Sequence, residues 1–343
     1  MRRRSLLPLL LVSLTLAACG GDDDQATTTP AGSGSGTTAA KATDAFPVTI
    51  THARGTTTIP SEPKRVVTVG LRDQDALLAL GVKAVGAMDW FQQGTFATWP
   101  WENWGGTPPK IVSTGGFEVN FERVAAERPD LILGVYQELD KGDYDKLSKI
   151  APTVAQSGEF KPYTMPWREE TRVIAASVGR KAKGEELITS VEARYAKVRQ
   201  EHPEYRGKEA MIIDPSGGNV FAFSSNDPRG QFLQELGFDS SKRIDTLAKG
   251  EFGTEVSDER LKTLDVDKLF VLIDKNNRNK LFDKPLFKRL DVYKRGDVVE
   301  VPYYDQPQYG AAMAFNSVGS LPYAIDGTVK LITANEAKKT AAR

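Results

Sequence analysis

The sequence predicts an α/β protein of two lobes with mainly parallel sheets, joined by one long helix. Three observations predict it. Short apolar runs alternate with amphipathic stretches along both halves of the chain, the pattern of parallel strands with crossover helices. Between the halves, Lys181–His202 carries Leu187, Ile188, Val191, Tyr195 and Val198 at the spacing of one helical face, with Lys, Arg and Glu over the rest. At about 1.5 Å per residue that helix runs roughly 30 Å, the width of a small domain. Pro63–Asp89 reads as a complete βαβ unit: a buried strand at Val66–Val69, a helix from Asp73 to Leu80 stopped by Gly81, and a second strand at Ala84–Ala87. Lys181–His202, ended by Pro203, therefore reads as a brace between lobes rather than as a surface helix of one larger domain.

With 343 residues, 40% apolar and 26% charged, the chain can bury one large core or two ordinary ones. Its formal charge is zero, or three negative once Arg2, Arg3 and Arg4 are removed with a leader. Neither value suits a nucleic-acid binder, which needs a concentrated basic surface. Those arginines precede an apolar core, Leu6–Leu16, too short to span a bilayer. Leu16-Ala17-Ala18-Cys19-Gly20 resembles a bacterial lipoprotein cleavage site, which makes Cys19 the lipidated first residue of the mature chain. Two or more acyl chains hold a protein stably at a membrane, each buried methylene adding about 0.8 kcal/mol. Cys19 is the single cysteine, so the folded part has no disulfide and no thiolate metal ligand. The segment behind it is rich in Gly, Ser, Thr and Asp and reads as a tether; its Gly-Ser run lacks the strand and helix of a phosphate loop. The expected layout is a signal peptide at 1–18, a tether at 19–45, a first lobe at 46–165, connecting helices at 166–202 and a second lobe at 203–343.

In order, Val48–Ile59 reads as a hairpin around Arg54-Gly55. The βαβ unit follows, and ligands sit at the carboxyl ends of such strands, which here places Arg72 and the Trp90-Phe91 pair. From Trp90 to Trp104 the chain carries four tryptophans and two phenylalanines, either a small core under a long connection or one wall of an apolar site. Asn120 caps a helix to Arg128, and Leu131–Val135 is a buried strand. Helices at 144–150 and 167–178 flank a short strand at 153–155. Beyond the brace come strands at 210–214 and 220–223, helices at 229–236 and 258–264, strands at 269–273 and 298–301, and a largely helical tail from Ser317.

One comparison between the halves points outward. Glu118–Asp130 aligns with Glu255–Asp267 at a constant offset of 137, and five of the thirteen positions are identical. Each half thus presents a helix cap, Asn120 or Ser257, and a glutamate at the second helical position, Glu122 or Glu259. A glutamate there favours its own helix by about 0.3–1 kcal/mol. The matched pair also suits one carboxylate per lobe offered to a partner with two-fold symmetry.

PKRVVTVGLRDQDALLALGVKAVGA, FEVNFERVAAERPDLIL, the brace, DPRGQFLQELGF, EVSDERLKTLDVDKLFVLID and SVGSLPYAID occur in an order that resembles the substrate-binding lipoproteins of iron–siderophore ABC importers, the class III periplasmic binding proteins that also serve haem and cobalamin. The similarity runs from Pro63 to Asp326. It implies a lipid-anchored monomer at the outer face of the cytoplasmic membrane or in the periplasmic space. A ferric siderophore would lie in the interlobe cleft, for delivery to the permease dimer of an ABC importer. In that family a glutamate from each lobe docks against permease arginines, and the matching positions are Glu122 and Glu259. Arg229 falls at a family binding arginine, Lys275 where relatives carry a basic residue, and Tyr136 where some carry arginine. Arg72 joins them from its place at a strand end. Trp90, Phe91, Trp167, Tyr303 and Tyr304 are the expected aromatic walls. The resemblance implies no resident cofactor and no metal held directly by the protein.

The rival readings are haem or cobalamin carriage, with Tyr136 as a possible iron ligand, and a membrane-tethered enzyme. Only two histidines, His52 and His202, are present, and no G-x-S-x-G, H-E-x-x-H or G-x-x-x-x-G-K motif occurs, so the expectation is no catalysis. Zinc or manganese carriage is disfavoured by the same shortage of histidine.

Overall fold

The computed structural model describes residues 44–96, 99–115 and 117–341. The expected leader, Cys19 and nearly all of the tether lie outside the described residues. A hairpin of β1 (Val48–His52) and β2 (Gly55–Ile59) opens the fold. The first sheet takes β3 (Val66–Thr68), β4 (Gly86–Ala87), β5 (Lys110–Ile111), β8 (Leu131–Gly134) and β9 (Thr153–Ala155) in the order β5-β4-β3-β8-β9, all parallel. Its connections carry α1 (Asp73–Ala79), the small pair β6 (Ser113–Gly115) and β7 (Glu118–Val119), α2 (Phe121–Ala126) and α3 (Lys141–Ser148).

Two helices follow, α4 (Trp167–Ser177) and the brace α5 (Lys181–Glu201). The brace buries Ile188, Val191, Tyr195 and Val198 as its periodicity predicts, and adds Gly184. A Cβ on Gly184 would stand 2.7 Å from that of Ala175, so the absence of a side chain sets the close approach of α5 to α4. Arg168 pins the same junction, donating to Glu192 on the brace at 2.6 Å.

The second lobe adds β10 (Glu209–Asp214), β11 (Val220–Phe223), α6 (Pro228–Leu236), β12 (Asp239–Ser240), α7 (Lys242–Ala248), β13 (Gly253–Val256), β14 (Lys268–Ile273), α8 (Arg278–Phe282), α9 (Pro285–Lys288), α10 (Asp291–Lys294), β15 (Val298–Pro302), α11 (Tyr309–Phe315) and α12 (Leu321–Ala341). Its sheet runs β13-β11-β10-β14-β15, with β12 also paired to β10. β12, β14 and β15 run parallel with their neighbours, whereas β11 and β13 form antiparallel pairs.

Strands buried on both faces send alternate residues to different cores. In the first lobe Val66, Leu131 and Leu133 face one core, and Val67 and Ile132 another. In the second, Ala210, Ile212, Phe270 and Leu272 face the first of these, while Met211, Ile213, Leu269 and Val271 face a third. The inner core is shared: it runs from Val48 and Ile50 through Trp167 and Tyr195 to Val301, Phe315 and Ile332. Apolar packing thus continues from one lobe into the other.

The expected helix at Asp258–Leu264 is a 3₁₀ helix. Ser257 makes no side-chain cap hydrogen bond, and the Arg260 N–H closes back on the Ser257 carbonyl, three residues away. α7 through α11 and the strands β5, β6, β7, β12 and β13 are additions to the sequence reading, all short enough that few residues mark their period. No described helix is long and apolar enough to cross a membrane.

Candidate functional site

The carboxyl ends of β3, β4 and β8 bring Arg72, Trp90, Phe91 and Tyr136 toward the second lobe, where Tyr303 and Tyr304 follow β15. Local chemistry fixes the first group. The Asp73 carboxylate accepts the main-chain N–H groups of Val135 and Tyr136 at 2.7 and 2.9 Å, tying α1 to the end of β8. A Cβ on Gly70 would collide with that carboxylate. Burial pushes Asp73 up to about 6, with the two N–H donors and Arg72 pulling the other way.

Phe91 and Phe315 form the centre of the interface. Their rings stack at 5.5 Å with 9° between planes, and Phe91 meets Tyr303 and Tyr304 edge-on, each at 5.6 Å. Trp90, Trp99 and Trp101 close around Phe315 at 5.5, 5.3 and 5.4 Å. The tryptophan-rich loop therefore divides its rings between two places. Trp104 and Phe96 form a small core with Ala87, while the other four rings face the opposite lobe. Phe315 carried no signal of its own in the sequence. It ends α11, which is flanked by two left-handed residues, Gln308 and Asn316, at φ 59° and 41°. Asn316 is held by its side-chain amide, which donates to the Pro228 carbonyl.

The basic residues have other occupations than the sequence suggested. Arg72 is wholly buried: Nε and Nη2 donate to Glu170 at 2.9 and 2.5 Å, and Nη1 to the Phe315 carbonyl at 2.6 Å. Its guanidinium lies 3.6 Å from the Tyr136 ring centroid. Arg72 is thus a strut between lobes, because Glu170 on α4 and the Phe315 carbonyl take up its polar groups. Burial pushes Glu170 up against the pull of Arg72. Arg229 is gripped by Asp227 in a two-bond fork, 2.7 and 2.8 Å, and lies 3.7 Å over Phe223. Burial opposes its charge, and Asp227 more than compensates, so its pKa stays above the ordinary arginine value. Lys275 is exposed, its main-chain N–H donating to Asp305 at 2.7 Å.

Trp167 sits in the shared core, with the Arg168 guanidinium 4.4 Å over its ring, and makes none of the ring contacts of the Phe91–Phe315 cluster. Tyr136 donates its hydroxyl to the Tyr163 carbonyl at 3.0 Å, and burial raises its pKa.

A second polar group, unseen in the sequence, joins the lobes beside this cluster. Asp75 on α1 accepts Trp101 Nε1 at 2.9 and 3.0 Å and the Ser317 hydroxyl at 2.5 Å. Burial pushes Asp75 up to about 6, and burial together with the neighbouring Asp75 charge pushes Glu102 up to about 10. Among the described residues no group of His, Cys, Asp and Glu could hold a metal ion.

The internal repeat survives in three dimensions. Asp130 accepts the Lys64 and Arg65 N–H groups at the start of the first lobe's inner strand pair, and Asp267 accepts the Glu209 N–H at the corresponding place in the second. Asn120 caps α2 by accepting the Arg123 N–H at 2.9 Å. Glu122 and Glu259 are both exposed, and among the described residues neither has an ion-pair partner.

A cavity of about 700 Å³ lies elsewhere, between the end of the brace and α12, lined by His202, Tyr205, Lys268, Asp297, Ile332 and Glu336. It opens at the amino ends of β10 and β14, away from the strand ends where open α/β sheets hold ligands.

Known proteins resemble the whole folded part. A periplasmic solute-binding protein from Mycobacterium smegmatis is 32% identical, covers 84% of this chain and 98% of its own, and superposes with a TM-score of 0.71. The Streptococcus pneumoniae protein PiaA, solved in complex with ferrichrome, is 27% identical over 84% of this chain and 98% of its own, TM-score 0.72. The probable siderophore-binding lipoprotein YfiY of Bacillus subtilis is 29% identical over 269 residues, 74% of this chain and 79% of that one. Residues 66–304, from β3 past the end of β15, match the family described as periplasmic binding protein, and the chain belongs to that family.

Proposed function

We propose that this chain captures a ferric siderophore between its lobes and delivers it to the permease dimer of an ABC importer, working as a monomer held by a lipid on Cys19 at the outer face of the cytoplasmic membrane or in the periplasmic space. The supporting observation is the convergence of Trp90, Phe91, Tyr136, Arg229, Tyr303 and Tyr304 at strand ends where the two lobes meet. In this reading residues 46–165 and 203–343 are the two jaws and 166–202 the connection. The aromatic rings flank the chelate, Arg229 and Lys275 supply donors, and Arg72 and Trp167 support the walls from behind. Glu122 and Glu259, exposed and without an ion-pair partner among the described residues, meet permease arginines, setting register and speeding encounter more than adding affinity. Relatives named for siderophores, ferric citrate and ferric enterobactin favour this over catalysis.

Haem carriage through Tyr136 finds less support, because that hydroxyl is spent on the Tyr163 carbonyl and its raised pKa disfavours the phenolate an iron ligand needs. The test is tryptophan quenching of the soluble form from Ala45 onward by ferric catecholates, ferric hydroxamates, ferric citrate, haem and cobalamin. Quenching by a ferric siderophore at micromolar or lower concentration, and not by its iron-free form, is expected. A response to haem or cobalamin alone sinks the reading.

A further inference from the structure

The charges where the lobes meet are largely paired within the protein. Arg229 lies buried beside Tyr303, and Asp227 takes both its Nε and Nη2. Asp227 cannot simply swing aside, because its Oδ1 also caps α6 by accepting the Arg229 N–H at 2.8 Å. The one remaining nitrogen, Nη1, faces the Tyr303 hydroxyl at 3.5 Å. Arg72 is spent on Glu170 and the Phe315 carbonyl. At the mouth, Tyr304 is 42% exposed and stands in the field of the Asp214 and Asp274 carboxylates. Lys275 is the cation left over, on the exposed rim. Arg72 and Arg229 are thus each matched by a carboxylate, Glu170 and Asp227, Asp305 accepts the Lys275 N–H, Asp214 and Asp274 stand by Tyr304, and the walls between them are aromatic.

Ferric chelates differ sharply in charge. Three hydroxamates, each a monoanion, cancel the charge of the ferric ion, whereas three catecholates, each a dianion, leave the complex at three negative. Bringing a trianion out of water costs free energy that only unspent positive charge can return. An uncharged complex with an apolar outer surface needs no such return and gains from burial against rings.

We propose that the cleft is built for a ferric tris-hydroxamate, uncharged at the metal, and that the Asp227 clamp on Arg229 is what turns away the trianionic tris-catecholate. This rests on the ferric-siderophore reading and narrows it. The probes are ferrichrome, a neutral tris-hydroxamate, and ferric enterobactin, a tris-catecholate, titrated by tryptophan quenching against the soluble form from Ala45 onward and against its Asp227→Asn variant. Asparagine caps helices as well as aspartate does, so α6 keeps its start while Arg229 loses its counter-charge. The wild-type protein is expected to bind ferrichrome at least about tenfold more tightly than ferric enterobactin, with little response to added salt. The variant is expected to gain about tenfold for ferric enterobactin and to change little for ferrichrome. Equal or tighter binding of ferric enterobactin by the wild type overturns the inference and leaves siderophore carriage standing. A variant with no gain for the catecholate overturns the role of Asp227. Binding of neither probe, with haem or cobalamin bound instead, removes the siderophore reading itself.

Discussion

The Ser317 hydroxyl donates to Asp75 Oδ2 at 2.5 Å across 242 positions of sequence, joining α1 of the first lobe to the turn before α12 of the second. Trp101 donates to the same carboxylate, and Arg72, three residues before it, reaches the Phe315 carbonyl. Polar bonds and stacked rings together hold the lobes at this contact.

That contact should respond to pH. Burial raises Asp75 to about 6, and burial together with the Asp75 charge raises Glu102 to about 10, above unfolded values of 3.8 and 4.5. The folded state therefore binds more protons than the unfolded one, for Asp75 between about pH 4 and 6 and for Glu102 up to about pH 10. Their contribution to stability is fully present below about pH 4 and falls as pH rises through those windows. Melting temperature is expected to drop between pH 5 and pH 8, and Asp75→Asn should flatten the slope. A melting curve independent of pH over that range would refute the assignment.

Removing one partner of the Arg72–Glu170 pair leaves an uncompensated buried group. Arg72→Met alone should cost about 3–5 kcal/mol, and adding Glu170→Gln should recover a large part of it. Denaturant unfolding of the two single variants and the double variant measures the coupling.

Phe315 meets four rings of the opposite lobe, Trp90, Phe91, Trp99 and Trp101, so its truncation tests whether aromatic packing or polar bonding dominates between the lobes. Phe315→Ala should cost about 3–5 kcal/mol and change tryptophan emission, since Trp90, Trp99 and Trp101 all lose a neighbour. Loss below 1 kcal/mol, read by denaturant unfolding, would show that the cluster rearranges freely.

Glu122 and Glu259 are exposed, and reversing both to Lys should move stability by no more than about 0.5 kcal/mol each. Chelate binding should be unchanged while uptake into cells or vesicles carrying the permease fails. Normal uptake by the double variant would leave them as helix-end charges alone.

Features written in short range were legible. The brace shows its face through Ile188, Val191, Tyr195 and Val198, Asn120 announces α2, and the offset of 137 anticipates the matched roles of Asp130 and Asp267. Phe91 was read from its place after a strand end, and the structure sets it against Tyr303 of the other lobe. Trp167 was misplaced because a ring at a helix start can face either the cleft or the core, and only the neighbouring helix decides.

By itself the sequence determined the alternation of strand and helix, the bracing helix and the paired outward glutamates, because these depend on periodicity and on neighbours within a few residues. Tertiary structure alone decided which charges are spent. Arg72 finds Glu170 98 positions away and the Phe315 carbonyl 243 positions away. Coulomb and hydrogen-bond energies depend on separation in space, which residue spacing along the chain does not carry.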